Sequence, residues 1–412
     1  MSVTAAPAAS CALHDTGTCR SCPHLSLPMP AQLAAKQSHV AGLLADHVPA
    51  GLWQAPAASA PTGFRNKAKM AVAGTAAHPT LGILDGAGSG VDLRTCPLHV
   101  PAIEAALPVL ADLVTELGLR PYDVPSRRGE LKYVLVTASP DDDLMVRFVL
   151  RSRRYLERLR AAVPDLHRRL PQLAVAAVNI QSVHQAVIEG PEEIVLTEED
   201  RLLMRLSLPS PDGGGQAGRR AGSVELPLYL PTRSFFQTNT AVAEALYATA
   251  RDWAEQAEPA RVWDLFCGVG GFALALAAPG RQVLGVEVSA SAIDGARAAA
   301  DLMGLDPALV RFEAGDARVL DPAAPGGSAS GVSGAERPDL LVVNPPRRGI
   351  GEQLATRIEA SGVERVLYSS CNPRTLAADL AHLPSMRVVR ARLFDMFPHT
   401  DHAEVLVELV RG

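Results

Sequence analysis

Cys371 is the side chain in this sequence best placed to act as a nucleophile. It follows residues 366–368, a short apolar run with the length and flanks of a buried strand. Ligands and reacting groups collect at the carboxyl ends of strands in an open α/β sheet, and the thiol would lie there, ahead of a proline turn. An isolated cysteine more often packs as a small hydrophobe, so the nucleophile hypothesis depends on the rest of the chain.

A second group of cysteines lies near the N-terminus. Three of the six cysteines in the chain follow a C-x7-C-x2-C spacing and a fourth precedes a proline; the four are Cys11, Cys19, Cys22 and Cys96. With no secretory signal, a metal or catalytic role is favoured over a disulfide framework. Four thiolates can hold a zinc ion or an iron–sulfur cluster, although the single C-x2-C pair fits a zinc ribbon poorly. Free surface thiols are the weakest alternative, because three such thiols within twelve residues would invite oxidation.

A glycine-rich turn follows the apolar run at residues 261–266. Its glycines, Gly268, Gly270 and Gly271, allow a tight turn and the close approach of a ligand to the start of a helix. Glu287 ends the next predicted strand, where it could accept hydrogen bonds from ribose hydroxyls. The pattern also satisfies the dinucleotide-binding fingerprint, so a nicotinamide dehydrogenase stays open at this point.

The turn at Asn344 favours a methyl-transfer enzyme. Asn344 ends another predicted strand and precedes two prolines, a stiff turn of the kind that S-adenosylmethionine enzymes use beside the methyl donor. An aromatic residue after the prolines would suggest methylation of a base's amino group. Arg347 stands there instead, which disfavours an amine target.

Strands and helices alternate regularly from about residue 231. Strands are predicted at 261–266, 282–286, 310–313, 339–343 and 366–368, helices at 241–257 and 291–303, and two final strands at 387–392 and 404–410. This order predicts a parallel doubly wound sheet closed by an antiparallel hairpin. Residues 231–412 are therefore predicted to form one α/β domain.

The first 230 residues lack this alternation. We expect a region around the cysteines at 1–100 and a central mixed α+β domain at 101–230. Two glycine-rich stretches, 210–223 and 325–335, are predicted surface loops.

Basic residues recur through the first half of the chain. Residues 63–72 alternate basic with apolar side chains, which predicts a strand with a basic face, and further cations are Arg127, Arg128, Lys132, Arg147, Arg151, Arg153 and Arg154. Such cations could hold an RNA backbone without reading its sequence. A solvated charged face is about equally consistent with each patch alone, and their recurrence slightly favours binding.

The composition excludes several classes of protein. The net charge of −5 does not suggest a protein that coats nucleic acid non-specifically. No run of eighteen apolar residues occurs, and the first forty residues lack a signal-peptide pattern. We expect a cytoplasmic globular protein with no membrane association.

Five motifs together carry a family resemblance. They are Phe-Phe-Gln-Thr-Asn at 235–239, Asp-Leu-Phe-Cys-Gly-Val-Gly-Gly at 264–271, Asn-Pro-Pro-Arg-Arg-Gly at 344–349, Ser-Ser-Cys-Asn at 369–372, and Asp-Met-Phe-Pro-His-Thr-x-His-x-Glu at 395–404. With them the chain resembles the RNA uracil-C5 methyltransferases, which make 5-methyluridine. The cysteine cluster and Phe-Arg-Asn-Lys-Ala-Lys at 64–69 agree, and the branch that modifies 23S ribosomal RNA is the most similar.

The resemblance implies a role for each predicted site residue. It implies that Cys11, Cys19, Cys22 and Cys96 hold a [4Fe-4S] cluster, that Gln237, Phe266, Glu287 and Asn344 contact S-adenosylmethionine, that Cys371 is the nucleophile and that Glu404 is the base. It also implies a Rossmann-like methyltransferase domain behind an iron–sulfur and RNA-binding region. From the sequence alone Glu404 would more often be a surface carboxylate on a strand; the His-x-Glu pattern of the family overturns that.

The chemistry requires such groups independently. Uracil C5 is too poor a nucleophile to take a methyl group from a sulfonium, so a thiolate must first add at C6. A free thiol has a pKa of about 8.5, so a lowered pKa or a base is needed to form that thiolate. After the transfer, a base must remove the C5 proton before the cysteine can be eliminated.

We therefore predict a monomeric 23S ribosomal RNA uracil-C5 methyltransferase without an obligate protein partner. A related enzyme acting on transfer RNA is the first alternative, and the cysteine cluster favours ribosomal RNA over it. A non-catalytic iron–sulfur RNA-binding protein on the same scaffold is the second, and the intact Cys371 and Glu404 oppose it.

Overall fold

The structure is a computed structural model that describes residues 9–185, 187–209, 223–319 and 337–412. The predicted loop at 325–335 lies outside the described residues, as does all of the loop at 210–223 except Ser223. Within the described part of the chain, no helix combines the length and the apolar character needed to cross a membrane.

An N-terminal segment with two helices leads into a seven-stranded mixed sheet. The helices are α1 Ala12–Asp15 and α2 Met29–Leu43, and the strands are β1 Lys67–Gly74, β2 Pro79–Leu84, β3 Gly90–Asp92, β4 Leu131–Ala138, β5 Leu144–Leu150, β6 Leu173–Ile180 and β7 Glu192–Val195. The strand order is β3-β2-β1-β4-β5-β6-β7, and only the β5–β6 pair is parallel. This part of the chain is mixed α+β, as predicted.

Two helices cover one face of this sheet, namely α3 Pro101–Glu116 and α4 Leu156–Arg169. The α3 helix forms because its apolar residues recur at helical spacing, and Ile103, Leu107 and Leu110 are fully buried. Burying each such side chain contributes about 1.5–3 kcal/mol. In β1, Ala68 and Met70 are buried towards these helices.

The basic face predicted for β1 is confirmed in part. Lys67 and Lys69 alternate with buried apolar residues, but only Lys69 is exposed, and burial lowers the pKa of Lys67 to about 8. Two of the predicted cations do not fit that role: Lys132 is buried and donates to the Val183 carbonyl at 2.8 Å, and the second is Arg147. Its side chain is only 3% exposed and donates hydrogen bonds to the carboxylates of Glu189 and Glu193. Arg147 is thus a buried ion-pair partner on β5, an interior strand of the sheet.

A hairpin and a long helix connect the two halves of the chain. The hairpin consists of β8 Arg201–Leu208 and β9 Val224–Pro231, and the helix is α5 Thr240–Ala257. Asn239 begins the helix, since its side chain accepts a hydrogen bond from the Val242 N–H at 3.4 Å.

The second sheet has the predicted doubly wound topology. Its strands are β10 Arg261–Leu265, β11 Gln282–Glu287, β12 Val310–Ala314, β13 Leu340–Val343, β14 Arg365–Ser370, β15 Met386–Phe394 and β16 Glu404–Arg411. The order is β12-β11-β10-β13-β14-β16-β15; the first five strands are parallel, and β16 is antiparallel to both of its neighbours. The predicted terminal antiparallel hairpin is therefore present.

Helices cover both faces of this sheet. They are α6 Gly271–Ala275, α7 Ala290–Leu302, α8 Gly351–Ser361 and α9 Pro373–Leu380. On one face α5, α6 and α7 pack together with the hairpin, and on the other α8 and α9 pack with α2. The strand order reverses between β10 and β13, which is where open α/β sheets bind their ligands.

The predicted domain boundaries at 100 and 230 stay predictions. The first sheet draws strands from both sides of residue 100, because β1 pairs with β4. In addition, Val40 and Leu44, near the end of α2, are buried in the core of the second sheet.

Candidate active site

One cavity of about 740 Å³ lies at the carboxyl ends of β10, β11, β13 and β14. Six residues predicted from the sequence line it: Gln237, Phe266, Glu287, Asn344, Cys371 and Glu404. The four N-terminal cysteines are not among its lining residues. The structure thus brings together the predicted nucleophile, the predicted base and the predicted methyl-donor contacts.

The pairing of β14 with β16 explains why Cys371 and Glu404 meet. The antiparallel register pairs Ser369 with Leu406 and Ser370 with Val405. Continuing by one residue puts Cys371 opposite Glu404, where side chains share a face. The thiol and the carboxylate are therefore cross-strand neighbours.

Cys371 is half-buried, and its thiol has opposing influences around it. Burial raises its pKa and the Glu404 carboxylate raises it further, whereas the nearby Arg347 guanidinium lowers it. Arg347 also lines the cavity, and its carbonyl oxygen accepts hydrogen bonds from Asn372 Nδ2 at 3.0 Å and Thr375 Oγ1 at 3.2 Å. The turn that follows Cys371 thus holds this cation beside the thiol. From the sequence alone, Arg347 only disfavours an amine target.

Glu404 is a buried carboxyl group, only 2% exposed. Burial raises its pKa to about 7, and a hydrogen bond from the Ser369 hydroxyl works against that rise. A carboxyl group with a pKa near neutrality exchanges a proton readily at physiological pH, which suits a general base.

The side of the cavity at the ends of β10 and β11 is lined by the backbone around Gly268 and by the carboxylate of Glu287. Phe266 has φ of +67°, an unusual conformation for a bulky side chain that often marks a ligand site. A Cβ added at Gly268 would meet no atom within 4 Å, so a ligand can approach the chain there. Glu287 accepts hydrogen bonds from the N–H groups of Gly268 at 3.3 Å and Ser289 at 3.0 Å. These contacts fix its carboxylate at the strand end.

Gln237 is tied to the N-terminal half of the chain. Its carbonyl oxygen accepts a hydrogen bond from Asn66 Nδ2 at 3.1 Å, and the Asn66 N–H donates to the Thr238 carbonyl at 3.0 Å. The Gln237 side chain is buried and lines the cavity. The motif at 64–69 therefore contacts the motif at 235–239 directly.

Three further polar residues divide between the cavity and the core. His402 and Asp316 line the cavity, and Asp316 is paired with Arg318 at 2.6 Å. His399 is fully buried, is absent from the lining, and forms hydrogen bonds with Gln32 and the Pro61 carbonyl. His399 therefore shapes the loop that precedes Glu404.

The N-terminal segment holds that same loop. Lys36 of α2 forms a buried ion pair with Asp395, with 2.5 Å between Nζ and Oδ1, and also donates to the Phe397 carbonyl at 3.0 Å. His24 contacts Asp401, with 2.6 Å between Nε2 and Oδ1. The chain just after the predicted cysteine cluster is thereby bound to the loop that leads to Glu404.

The four N-terminal cysteines share one electrostatic neighbourhood. All four are half-buried, and burial together with the other three thiols raises the pKa of Cys22 to about 11. Cys96 likewise interacts with Cys11 and Cys19, and Arg65 lies close to both Cys22 and Cys96. Among the described residues, no three His, Cys, Asp or Glu side chains form a group that could hold a single metal ion.

The sequence is similar to those of several known proteins. The profile of the tRNA (Uracil-5-)-methyltransferase family matches residues 228–412. The 23S rRNA (uracil(747)-C(5))-methyltransferase RlmC of Halothiobacillus neapolitanus is 48% identical over 97% of this chain and 99% of its own length. The protein of the same name from Escherichia coli K12 is 44% identical over the same shares.

A solved structure resembles the whole fold. It is the Pyrococcus abyssi tRNA (uracil-54, C5)-methyltransferase in complex with S-adenosyl-L-homocysteine, with a TM-score of 0.73 and 24% identity. The similarity covers 95% of this chain and 85% of that one. It indicates that the two proteins share their fold.

Proposed function

The chain belongs to the uracil-C5 methyltransferase family, and we propose that it methylates C5 of a uridine in 23S ribosomal RNA, giving 5-methyluridine. The observation that carries the proposal is the pair Cys371 and Glu404, side by side on neighbouring strands of one cavity. The similarity of nearly the whole chain to 23S ribosomal RNA methyltransferases supports the substrate.

Cys371 begins the reaction by adding its thiolate to uracil C6, which places enolate density on C5. Burial opposes ionisation of this thiol. The Arg347 guanidinium beside it acts in the opposite direction and favours the thiolate. Since Glu404 is close by, its neutral form also favours the thiolate at this step. Glu404 therefore gives its proton to solvent after, or together with, the loss of charge on sulfur, so that it is ionised when the C5 proton must be removed.

Glu404 completes the reaction by taking the proton from C5 once that carbon carries the new methyl group. Loss of the proton restores the double bond between C5 and C6 as the electron pair returns to sulfur. The carbon–sulfur bond then breaks, and Cys371 leaves as thiolate. Glu404 suits this step because its pKa of about 7 makes it a stronger base than an exposed glutamate.

S-adenosylmethionine supplies the electrophilic methyl group on a sulfonium. We propose that Glu287 binds the ribose hydroxyls, that Phe266 and Gln237 contact the rest of the donor, and that Asn344 lies beside it. The open backbone at Gly268 and the carboxylate at the end of β11 fit such a ligand.

We also propose that Cys11, Cys19, Cys22 and Cys96 hold a [4Fe-4S] cluster. The donor chemistry supports this: four thiols lie in one half-buried neighbourhood, and thiolates are the ligands of such clusters, although the described side chains do not close around a single metal ion. Four thiolates gathered there would repel one another, and a cationic centre removes that repulsion. The cluster would stabilise the segment whose next residues, through His24 and Lys36, hold the loop before Glu404.

Cys22→Ser should remove most of the iron from the anaerobically purified protein. Wild type is expected to contain about four iron atoms per chain and to absorb visible light, and the variant should lose both because serine is a poor ligand for this cluster. Cys267→Ser is the matched control, since Cys267 is buried in the turn after β10, and the variant should keep the wild-type iron content. Equal iron in all three proteins would refute the cluster.

Exposed cations on the first sheet support an RNA substrate. Arg127 and Arg128 lie on an exposed turn, and Lys69 is exposed on the basic face of β1. We propose that these three contact phosphates. Arg151 and Arg153 are paired with Glu130 and Glu192, so they contribute less. A monomer in the cytoplasm is the state we propose for this enzyme.

Methyl transfer to RNA tests the substrate directly. Purified protein, labelled S-adenosylmethionine and 23S ribosomal RNA transcripts should yield labelled 5-methyluridine at a single position. Transfer RNA transcripts should accept at most background label. Label in transfer RNA alone would replace the proposed substrate with the alternative one, and label in neither RNA would favour the non-catalytic alternative.

A further inference from the structure

Ser369 is a buried hydroxyl group that the proposed reaction leaves unexplained. It lies on β14, two residues before Cys371, and its side chain is fully buried. Side chains two residues apart on a strand point to the same face, so Ser369 faces the same side as the nucleophile. Its partner in the register is Leu406, which puts Glu404 in the diagonal position on that face.

The Ser369 hydroxyl donates a short hydrogen bond to Oε1 of Glu404. Within the part of the chain that the structure describes, the other carboxylate oxygen, Oε2, has no hydrogen-bond partner, and Glu404 lines the cavity. One oxygen is therefore fixed from within the sheet while the other stays available to a ligand.

We propose that Ser369 is a positioning residue that holds the Glu404 carboxylate so that Oε2 faces the C5 proton of the substrate uracil. This inference rests on the proposed function, because it assigns the orientation of the same base. A glutamate side chain has several rotatable bonds, and fixing one of its carboxylate oxygens restricts the rotamers it can adopt.

Among the described residues, the other groups near Glu404 do not provide this hydrogen bond. Tyr247 on α5 and Cys371 after β14 lie near Glu404, and His402 lines the same cavity, yet none of them donates a hydrogen bond to Glu404 among the described residues. The Arg392 guanidinium on β15 is bonded to the Ala55 carbonyl and to Thr249 Oγ1. Without Ser369, Oε1 would be buried without a donor.

Loss of the hydroxyl should therefore have two consequences. The carboxylate would lose its fixed orientation, which slows proton removal. Its anionic form would also lose a charge-assisted hydrogen bond, so the pKa of Glu404 would rise above its value of about 7. The base would then be ionised only at higher pH.

The test compares Ser369→Ala with Ser369→Thr, which keeps a hydroxyl. For Ser369→Ala we expect kcat at pH 7 to fall about 10- to 100-fold, KM for RNA and for S-adenosylmethionine to stay unchanged, and the acidic limb of the pH profile to move to higher pH. The acidic limb of Ser369→Thr should lie closer to that of wild type than to that of Ser369→Ala. Ser361→Ala is the control, since Ser361 is also a buried hydroxyl, bonded to the Ile358 carbonyl at 2.7 Å at the end of α8.

A second measurement separates this role from the reaction itself. RNA with 5-fluorouridine stalls after methyl transfer, because fluorine cannot leave as a proton does, so adduct formation does not need the base. Wild type and Ser369→Ala should form the adduct equally. The positioning role would be overturned if Ser369→Ala kept the kcat and the acidic limb of wild type. It would also be overturned if the acidic limb of Ser369→Thr lay at the same pH as that of Ser369→Ala. Failure of wild type to form any adduct would instead overturn the proposed function.

Discussion

Cys371→Ala should abolish methyl transfer, with a loss of at least about 10⁴-fold in the rate of a single turnover. Uracil C5 reacts with the methyl donor only after a nucleophile has added at C6, and alanine offers none. The half-buried position at the end of β14 accepts the smaller side chain, so the variant should still fold and bind S-adenosylmethionine. The measurement is methyl incorporation into 23S ribosomal RNA transcripts, together with a complex on 5-fluorouridine RNA that survives denaturation.

Cys267→Ala is the matched control for this experiment, because Cys267 is the other thiol that lines the cavity. Its Sγ lies 3.7 Å from the Gly268 carbonyl oxygen, and burial, with Asp264 and Glu287 nearby, raises its pKa well above the ordinary value. It should stay protonated, so the alanine variant should still form the adduct. An adduct on Cys371→Ala, or loss of the adduct in Cys267→Ala alone, would show that Cys371 is not the nucleophile.

The second sheet could be predicted from the sequence because its signals are local. Each strand is a short apolar run, and the residues that carry the chemistry come directly after one, as Cys371 follows β14 and Asn344 follows β13. Parallel strands put those positions at a common edge. The antiparallel approach of Glu404 was also predictable, since no helix separates the last two strands.

Contacts between distant segments could not be predicted in this way. Lys36 and Asp395 are 359 residues apart, and nothing in the sequence near either one indicates the partner. Breaking such a buried pair by removing one member costs about 3–5 kcal/mol, so the pair determines how the N-terminal segment is held. Arg147 shows the same limit: its charge suggested RNA, whereas its carboxylate partners follow more than forty residues later.

The role of Ser369 also needed the structure. In the sequence it is one of two serines before Cys371, and either could have pointed towards the cavity. The register decides between them. Ser369 shares the face of Glu404, whereas the Ser370 hydroxyl bonds to the backbone of Asn372.

Glu404→Gln should trap the enzyme on its own product. Glutamine has nearly the same shape as glutamate but cannot take the C5 proton, so Cys371 would add and the methyl group would move, while elimination would fail. With ordinary uridine, we expect a denaturation-resistant complex that carries one labelled methyl group per chain. Multiple turnover should fall about 10²- to 10⁴-fold, the usual contribution of a general base. Glu352→Gln, an exposed carboxylate at the start of α8, is the control and should turn over normally.

The pH dependence separates a base from a residue that merely shapes the cavity. A carboxyl group with a pKa of about 7 must lose its proton to act, so the rate of elimination from the methylated adduct, a step after the thiolate has added, should rise with pH through about 7 and then level off. The residual elimination in Glu404→Gln should lack this acidic limb, because the group that titrates at this step is gone. If Glu404→Gln turned over at the wild-type rate and kept the acidic limb, another group in the cavity would remove the proton. His402 would be the first to test. Burial therefore raises the pKa of Glu404 to about 7, which makes the carboxylate basic enough to remove the C5 proton and still able to lose its own proton near neutral pH.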